Sequence, residues 1–265
     1  MAQLWAQAFT GLLSPYQTNP LNFNPLRPLL ERCVDFEAIQ RCGGPNVFVS
    51  ATHVATGKAA IFSGDGLTME AVLASTCLPT LFQAVEIDGQ AYWDGGYAVN
   101  PALSPLIQSC THHDLVVVQI NPLRRTHRPD TANEILDRIN ELTFNASLLS
   151  QMRAIDKINR LLADGSLARG TSKPVRLHRI DGGEAMLAYA ASTKLRSDPE
   201  LIDELFRLGQ AATHRWLEEN FTAIGVRSSV DVAKDYEDDA RIGLDPVCPA
   251  PNPATGREHK TGHRT

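Results

Sequence analysis

Residues 115–120 form the sequence LVVVQI, an almost unbroken run of apolar side chains. A strand without alternation between apolar and polar residues suits a position buried on both faces, as in a parallel sheet covered by helices. Two long helical patterns follow, at residues 131–162 and 199–220, and several shorter strand patterns come before the run. This mixture of strands and helices predicts α/β or α+β layering.

Turn and cap residues set the boundaries of these elements. Thr131 and Glu134 have the spacing of a capping box at the start of the first long helix, and Asp198 precedes Pro199 as the predicted N-cap of the second. Asp88-Gly89, between two short strand patterns, predicts a β-hairpin. Further strands are predicted at residues 47–52, 59–62, 85–87, 91–93 and 175–180, and further helices at residues 2–13, 35–41 and 68–75.

Composition narrows the possible classes of function. The chain has 265 residues, 43% of them hydrophobic, which is ordinary for a soluble protein with a sizeable core. A net charge of −5 gives no basic field that would attract nucleic acid. No run of 18 apolar residues exists, and residues 1–10 lack the Lys or Arg of a signal peptide, so the cytoplasm is the default location. Five scattered cysteines without CxxC spacing predict free thiols in a reducing compartment.

The two ends of the chain carry different signals. Residues 1–230 are expected to form one domain, and residues 231–265 a disordered tail, because the apolar pattern fades after residue 231 and the end is rich in Pro, Gly and Thr. Residues 2–13 have apolar residues at helical spacing, which predicts a core-facing helix. An interfacial membrane helix is the alternative, although its polar face carries glutamine rather than lysine.

Residues 74–101 have the sequence ASTCLPTLFQAVEIDGQAYWDGGYAVNP, in which Asp94-Gly95-Gly96 follows a predicted strand. Two consecutive glycines let the chain turn sharply and let another backbone approach closely. A carboxylate held at a strand end beside apolar surface is a candidate general base, because partial burial raises the proton affinity of aspartate. Asp-Gly is also a common turn pair, and Asp181-Gly182-Gly183 repeats the motif, so an ordinary turn is the alternative.

Several motifs around Asp94 occur together in one order. Residues 47–122 resemble the patatin-like phospholipase family, in which a strand ending in Ser-Ala-Thr is followed by a small-residue helix, a Phe-containing loop, a hairpin, Asp-Gly-Gly and Asn-Pro. The order and spacing of these elements, more than any one of them, carry the resemblance. Here they are Ser50-Ala51-Thr52, Ala74-Ser75 with Pro79, Phe82, Asp94-Gly95-Gly96 and Asn100-Pro101.

The resemblance implies a three-layer α/β/α sandwich and an enzyme of lipid degradation. Family members hydrolyse lipid esters with a Ser-Asp dyad, in which the aspartate takes the serine proton directly. Asp94 matches that base, and Gly95 and Gly96 would shape the site. The implied partners are a lipid or ester substrate and, transiently, a membrane surface. Because proton transfer and oxyanion binding suffice for this chemistry, neither a metal nor a cofactor is expected.

The sequence departs from the family in one important respect. It contains no Gly-x-Ser-x-Gly nucleophile motif, and no glycine-rich oxyanion loop precedes the matched region. We therefore expect the C-terminal part of a patatin-like domain, incomplete at its N-terminus. Three functions follow as alternatives: a hydrolase of which this chain retains only the aspartate, a non-catalytic truncated or regulatory protein of the same fold, and a lipid-binding module. Poor solubility, or a partner that supplies the missing part, is also expected, because a sheet edge would be exposed.

Other clusters of polar residues are weaker candidates. His112-His113-Asp114 suggests a metal site but precedes a strand, where polar residues are commonly loop. The remaining histidines, among them His178, are dispersed and indicate no triad. The sequence Ser63-Gly64-Asp65-Gly66 lacks the Lys-Ser/Thr of a phosphate-binding loop and predicts a turn. The basic residues Arg124, Arg125 and Arg128 predict a solvated surface, with an anionic headgroup as the alternative partner.

Overall fold

The structure is a computed structural model that describes residues 13–41, 44–168, 170, 172–189, 193, 196 and 198–237. Helices and strands are mixed along this part of the chain, which confirms the α/β class. The helices are α1 (Pro15–Thr18), α2 (Leu26–Cys33), α3 (Phe36–Arg41), α4 (Met69–Ser75), α5 (Leu103–Ser109), α6 (Ala132–Ala163), α7 (Pro199–Asn220) and α8 (Val232–Asp235). The strands are β1 (Phe48–His53), β2 (Ala59–Ser63), β3 (Val85–Ile87), β4 (Gln90–Asp94), β5 (Asp114–Gln119) and β6 (Arg176–Asp181). Short 3-10 turns cover Gly64–Gly66, Gly95–Tyr97, Gly183–Ala188 and Phe221–Ala223.

These strands form two separate sheets. The first has the order β2-β1-β4-β3 and is antiparallel throughout. The second contains β5 and β6, which run parallel from the pair Asp114–Arg176 to the pair Gln119–Asp181. The long connection between β5 and β6 contains α6, as a parallel pair requires. The parallel pairing predicted from residues 115–120 is therefore confirmed.

The burial predicted for β5 is wrong for one of its two faces. Val117 is buried, whereas Val116, Val118 and Ile120 are 43%, 70% and 60% exposed. The buried face packs against α6, where Leu148, Met152 and Ile155 belong to the same apolar cluster as Val117. The opposite face is partly covered by α7, which contacts β6. The unbroken apolar run therefore leaves an open apolar stripe along β5 rather than a strand enclosed between two layers.

The β3–β4 hairpin shows how a local signal determines a turn. Asp88 and Gly89 have φ angles of 51° and 73°, the pair of positive values that a type I′ turn requires and that Asp-Gly supplies at low cost. The strands pair from Val85–Tyr92 to Ile87–Gln90. The predicted hairpin is confirmed, and it delivers Asp94 to the end of β4.

The two long helices begin at the predicted caps. The Thr131 side chain accepts a hydrogen bond from the Glu134 N–H, and the Glu134 side chain accepts from the Thr131 N–H, which completes the capping box of α6. The Asp198 side chain accepts from the Leu201 N–H at the start of α7. The apolar stripe of α6 is buried only in its second half. Its first half leaves four large side chains 44–59% exposed, namely Ile135, Leu136, Ile139 and Leu142.

The packed region extends beyond residue 231, where the sequence predicts the disordered tail to begin. Val232 and Tyr236 join the core cluster around α6 and β6, and Tyr236 is only 1% exposed. The Tyr236 hydroxyl donates to the Gln119 side chain and accepts from Arg179. A single turn of helix thus places two apolar side chains in the core. The rest of the predicted tail and the helix predicted at residues 2–13 lie almost wholly outside the described residues.

Candidate active site

Asp94 occupies a fixed position at the end of β4. Its backbone N–H donates to the Cys77 carbonyl oxygen at 2.8 Å, and its own carbonyl oxygen accepts from the Thr52 hydroxyl at 2.7 Å. Asp94 also pairs with Ala51 on β1. Since Thr52, Cys77 and Ala51 are all buried, the backbone that carries Asp94 is anchored to the sheet and to α4.

The Asp94 carboxylate turns back onto the chain that follows it. Its Oδ1 atom accepts a hydrogen bond from the Gly96 N–H at 2.7 Å, as the cap of the 3-10 turn Gly95–Tyr97. A hydrogen bond from an N–H to a carboxylate stabilises the charged form and restricts the orientation of the side chain. The motif therefore presents an oriented carboxylate rather than a freely rotating one.

The first glycine of the motif is required by a close approach of two backbones. A Cβ atom at position 95 would overlap the Ser50 carbonyl oxygen and would lie 2.7 Å from the Ser50 carbonyl carbon. Gly95 is itself buried. The absence of a side chain thus lets the turn after Asp94 lie against the middle of β1, which explains why a glycine follows the aspartate.

The second glycine makes room for an aromatic ring on α6. A Cβ atom at position 96 would lie 2.9 Å from Phe144 Cδ1, closer still to Cε1, and 3.1 Å from Asp94 Oδ1. The Phe144 ring also lies 6.1 Å from the Tyr97 ring, at a tilted angle. Phe144 is a residue of the site that the sequence analysis did not identify, because no local motif connects it to Asp94.

The Asn100-Pro101 part of the motif is also held by α6. The Asn100 N–H donates to the Ser147 hydroxyl at 2.7 Å, and the same hydroxyl donates to the Asn100 carbonyl oxygen at 3.2 Å. Gln151 donates to the Pro101 carbonyl oxygen at 2.6 Å and accepts from the Leu103 N–H at 3.0 Å. The whole segment after Asp94 is therefore attached to one face of the longest helix.

A cleft of about 660 Å³ lies beside Asp94, between the two sheets. The end of β4, the exposed side of β5 and α6 form its walls, so it combines one acidic group with apolar and amide side chains. Its lining includes Leu78, Thr80, Asp94, Gly96, Tyr97, Asn100, Val117, Val118, Ile120, Asn121, Asn140, Phe144, Asn145 and Leu148. A concave surface of this composition suits a ligand with an apolar body and a polar group.

The charge on Asp94 affects two neighbouring groups. Burial raises the pKa of the Tyr97 hydroxyl, and the negative charge of Asp94 raises it further. Burial likewise raises the pKa of the Cys77 thiol, and Asp94 adds to that effect. Both groups therefore stay protonated and neutral around neutral pH.

The second Asp-Gly-Gly adopts similar local geometry in a different environment. Asp181 ends β6, and its Oδ1 atom accepts from the Gly183 N–H at 2.9 Å. Its other oxygen accepts from Arg179 Nε at 2.6 Å in an ion pair. The two aspartates thus share the turn geometry, and the Asp181 carboxylate is held in an ion pair with Arg179.

The weaker candidate sites do not assemble as metal or headgroup sites. His113 Nδ1 contacts the Pro174 carbonyl oxygen at 2.7 Å, while Asp114 pairs with Arg176, so His112-His113-Asp114 does not converge on one point. His127, Asp130 and Glu134 do cluster, but all three are exposed and Glu134 serves the capping box of α6. Gly64–Gly66 forms a 3-10 turn, as predicted for that segment.

Of the basic residues after β5, Arg124 and Arg128 are exposed, as the sequence predicts, whereas Arg125 is turned inward. Arg125 is only 17% exposed and forms an ion pair with Glu141, which is 5% exposed. Its guanidinium also donates to the Tyr189 carbonyl oxygen at 2.7 Å. Arg138 contacts the same carboxylate at 3.1 Å. A buried carboxylate between two guanidiniums explains why Arg125 is turned inward, and it leaves Arg125 committed to the protein rather than to a headgroup.

The fold and the site together define an α/β protein with an Asp-Gly-Gly motif facing an open cleft. Residues 3–107 match the model of the patatin-like phospholipase family. The match agrees with the resemblance described from the sequence motifs, and the matched residues include Asp94. No curated protein matches the chain. Among the helices in the described residues, none has the length and apolar character needed to cross a bilayer.

Proposed function

We propose that this chain provides the general-base half of a lipid acyl hydrolase, with Asp94 as the base of a Ser-Asp dyad. The observation that carries the proposal is the orientation of the Asp94 carboxylate by the Gly96 N–H beside a partly apolar cleft. A serine hydroxyl becomes a strong nucleophile only when an adjacent base accepts its proton. A base with a fixed position at the wall of a substrate-sized cleft meets that requirement.

The cleft favours an ester with an apolar acyl group. Phe144, Leu148 and Val118 contribute apolar surface, and Asn100, Asn140 and Asn145 contribute hydrogen-bonding groups. Apolar surface of this kind holds an acyl chain through the hydrophobic effect, and amide groups orient the polar part of an ester. The substrate class is therefore a lipid ester, drawn from a membrane surface or a micelle.

This chain contains no Gly-x-Ser-x-Gly motif. The nucleophilic serine of the dyad therefore has to be supplied by another polypeptide segment. We infer that a second polypeptide segment with a strand, this motif and a helix completes the site. Among the described residues β5 pairs with β6 along one edge, and Val118 and Ile120 border the same cleft as Asp94, so a strand paired along the other edge of β5 would bring its terminal turn to the cleft. Backbone pairing along a free strand edge is a common mode of association.

The test is a complementation assay that uses a fluorogenic acyl ester. The purified chain is mixed with a polypeptide that carries a glycine-rich loop and a strand–Gly-x-Ser-x-Gly–helix unit. We expect no sustained turnover by the chain alone and measurable turnover by the mixture. Asp94→Asn should lower kcat of the mixture by about 100-fold or more, since general-base catalysis contributes about 10²–10⁴-fold. Asp88→Asn is the matched control, because Asp88 lies exposed in the turn of the same hairpin.

The outcomes separate the three functions. Equal activity of the Asp94→Asn and Asp88→Asn mixtures would refute the role of Asp94. Formation of a stable complex that never turns over would favour the non-catalytic protein of the same fold, for which the exposed β5 stripe is the supporting observation. Stoichiometric binding of a fatty acyl ligand by the chain alone, without turnover in any mixture, would favour the lipid-binding module.

A further inference from the structure

We propose that Ser229, His178 and Asp114 form a second site, in which Ser229 is a nucleophile that accepts small acyl groups. Ser229 Oγ lies 3.0 Å from His178 Nδ1, and His178 Nε2 lies 3.1 Å from Asp114 Oδ1. The three side chains are thus joined in the order nucleophile, base and orienting carboxylate that activates a serine. The site is separate from Asp94 and does not depend on its role.

The hydrogen bonds around Asp114 determine which nitrogen of His178 carries the proton. The Arg176 guanidinium contacts both carboxylate oxygens, at 2.9 and 2.7 Å, and the Gly225 N–H donates at 2.9 Å. These donors, Arg176 above all, hold the pKa of Asp114 well below its usual range. An ionised carboxylate only accepts hydrogen bonds, so Nε2 of His178 carries the proton. Nδ1 then has a lone pair directed at the Ser229 hydroxyl.

Packing keeps the base in this orientation. His178 is fully buried, and the edge of its ring meets the Trp216 ring at 5.9 Å between centroids. The loop that carries Ser229 is bound to the edge of β6, because the Ser229 N–H donates to the Leu177 carbonyl oxygen at 3.0 Å. The adjacent Ser228 hydroxyl accepts from the Leu177 N–H at 3.0 Å. Base and nucleophile are therefore held by independent contacts.

Ser229 is accessible although His178 is not. Ser229 is partly exposed and lines an open cleft of about 490 Å³. The cleft is mainly polar, with Asp156, Asn159 and Arg227 among its lining residues. A short acyl group can enter such a cleft, whereas a long apolar chain would leave most of its surface in water. The expected substrates are small, activated esters.

The reaction requires no additional reagent. Ser229 Oγ attacks the carbonyl carbon of the ester, and its proton moves to His178 Nδ1. The tetrahedral intermediate then expels the alcohol oxygen, which takes that proton from His178, and the acyl group stays on Ser229. With a fluorophosphonate the Oγ–P bond forms, the P–F bond breaks, fluoride leaves and the proton stays on His178. In the serine-protease triad, Nε2 of the histidine faces the serine and Nδ1 faces the aspartate. Here Nδ1 faces Ser229 and Nε2 faces Asp114. The proton path is otherwise the same.

The test measures labelling of the whole chain by a fluorophosphonate, with the modified serines located by mass spectrometry. We expect Ser229 to react at least ten times faster than exposed serines such as Ser104 and Ser166. Unfolding the chain in urea should abolish this preference, since the relay exists only in the folded protein. His178→Gln should reduce Ser229 labelling at least tenfold, whereas His214→Gln, at an exposed histidine on α7, should leave it within twofold. Asp94→Asn should have no effect.

Labelling of Ser229 at the rate of Ser104 and Ser166 in the folded chain would overturn the proposal. The hydrogen bonds among the three residues would then have only the structural role of attaching the loop to β6. Unchanged labelling in a His178→Gln chain that melts cooperatively would overturn it as well. If His178→Gln does not fold, the comparison of folded and urea-unfolded chain decides, because it needs no variant.

Discussion

Gly95 lies so close to Ser50 that a Cβ atom on Gly95 would overlap the Ser50 carbonyl oxygen. The clash would be with backbone, which cannot rotate away as a side chain can. Gly95→Ala should therefore separate β1 from the turn after Asp94 and lower the free energy of unfolding by about 3 kcal/mol or more, at the upper end of overpacking effects. Urea denaturation measures this change.

Gly66→Ala is the control for Gly95→Ala. A Cβ atom on Gly66 meets no atom within 4 Å, and its φ angle lies outside the left-handed region. The substitution should change the free energy of unfolding by about 0.5 kcal/mol or less. If Gly66→Ala and Gly95→Ala change the free energy of unfolding equally, the close approach of Gly95 to Ser50 does not contribute to stability.

Gly96 and Phe144 should show energetic coupling. Gly96→Ala places a methyl group against the Phe144 ring, and because the obstacle is a side chain, a smaller residue can relieve it. We expect Gly96→Ala to cost less in a Phe144→Leu background than in the original chain, with a coupling energy of about 1 kcal/mol. A double-mutant cycle by urea denaturation measures the coupling, and strictly additive effects would contradict the contact.

The pH dependence of stability should reveal the Asp114 network. The pKa of Asp114 is lowered in the folded protein, chiefly by Arg176. Its contribution to stability is therefore fully present above the unfolded-state pKa of about 4 and is lost as pH falls below that value. At pH 7 Asp114→Asn should cost about 1 kcal/mol, a value that allows for solvent screening of this partly exposed group. The cost should shrink steadily as the pH falls below 4.

Thermal melts of the original chain and Asp114→Asn between pH 3 and pH 7 provide the measurement. Asp203→Asn, on the exposed side of α7, serves as the control and should melt like the original chain throughout. A difference between the Asp114→Asn chain and the original that stays constant over the whole pH range would contradict the lowered pKa.

Glu141 should be one of the most sensitive positions on α6. Burial raises its pKa, but hydrogen bonds from Arg125 and Arg138 outweigh burial and lower the pKa overall. Glu141→Gln removes the negative charge and leaves two guanidiniums facing each other. We expect a loss of about 3 kcal/mol in the free energy of unfolding, as for other broken buried ion pairs. Glu218→Gln, exposed on α7, should be nearly neutral in the same urea titration.

The open stripe on β5 should govern self-association. Val118 and Ile120 are 70% and 60% exposed, so replacing both with threonine removes exposed apolar surface and keeps β-branched side chains that suit a strand. We expect the Val118→Thr/Ile120→Thr chain to associate less at a given concentration, as measured by sedimentation velocity, with little change in melting temperature. Val226→Thr, at a 75% exposed site outside the stripe, should leave association unchanged.

The amino-acid sequence was sufficient to predict much of the local structure and to single out Asp94 as the candidate base. Thr131 with Glu134 and Asp198 with Pro199 identified the starts of the two long helices, because caps act over three or four residues. Asp88-Gly89 identified the hairpin, because its turn requires positive φ angles at two consecutive residues. The ordered motifs around Asp94 revealed the family resemblance, since they lie within one continuous stretch of chain, and the family model matches residues 3–107.

The surroundings of these residues became known from the tertiary structure. It placed Phe144 on Gly96, turned Arg125 inward onto Glu141, and paired Asp181 with Arg179. It also joined His178 to Asp114 and Ser229, which lie 64 and 51 residues away along the chain. Contacts over such separations depend on how strands and helices pack, and no short-range pattern encodes that packing. For the same reason the apolar run of β5 specified a strand but not whether another layer covers its second face.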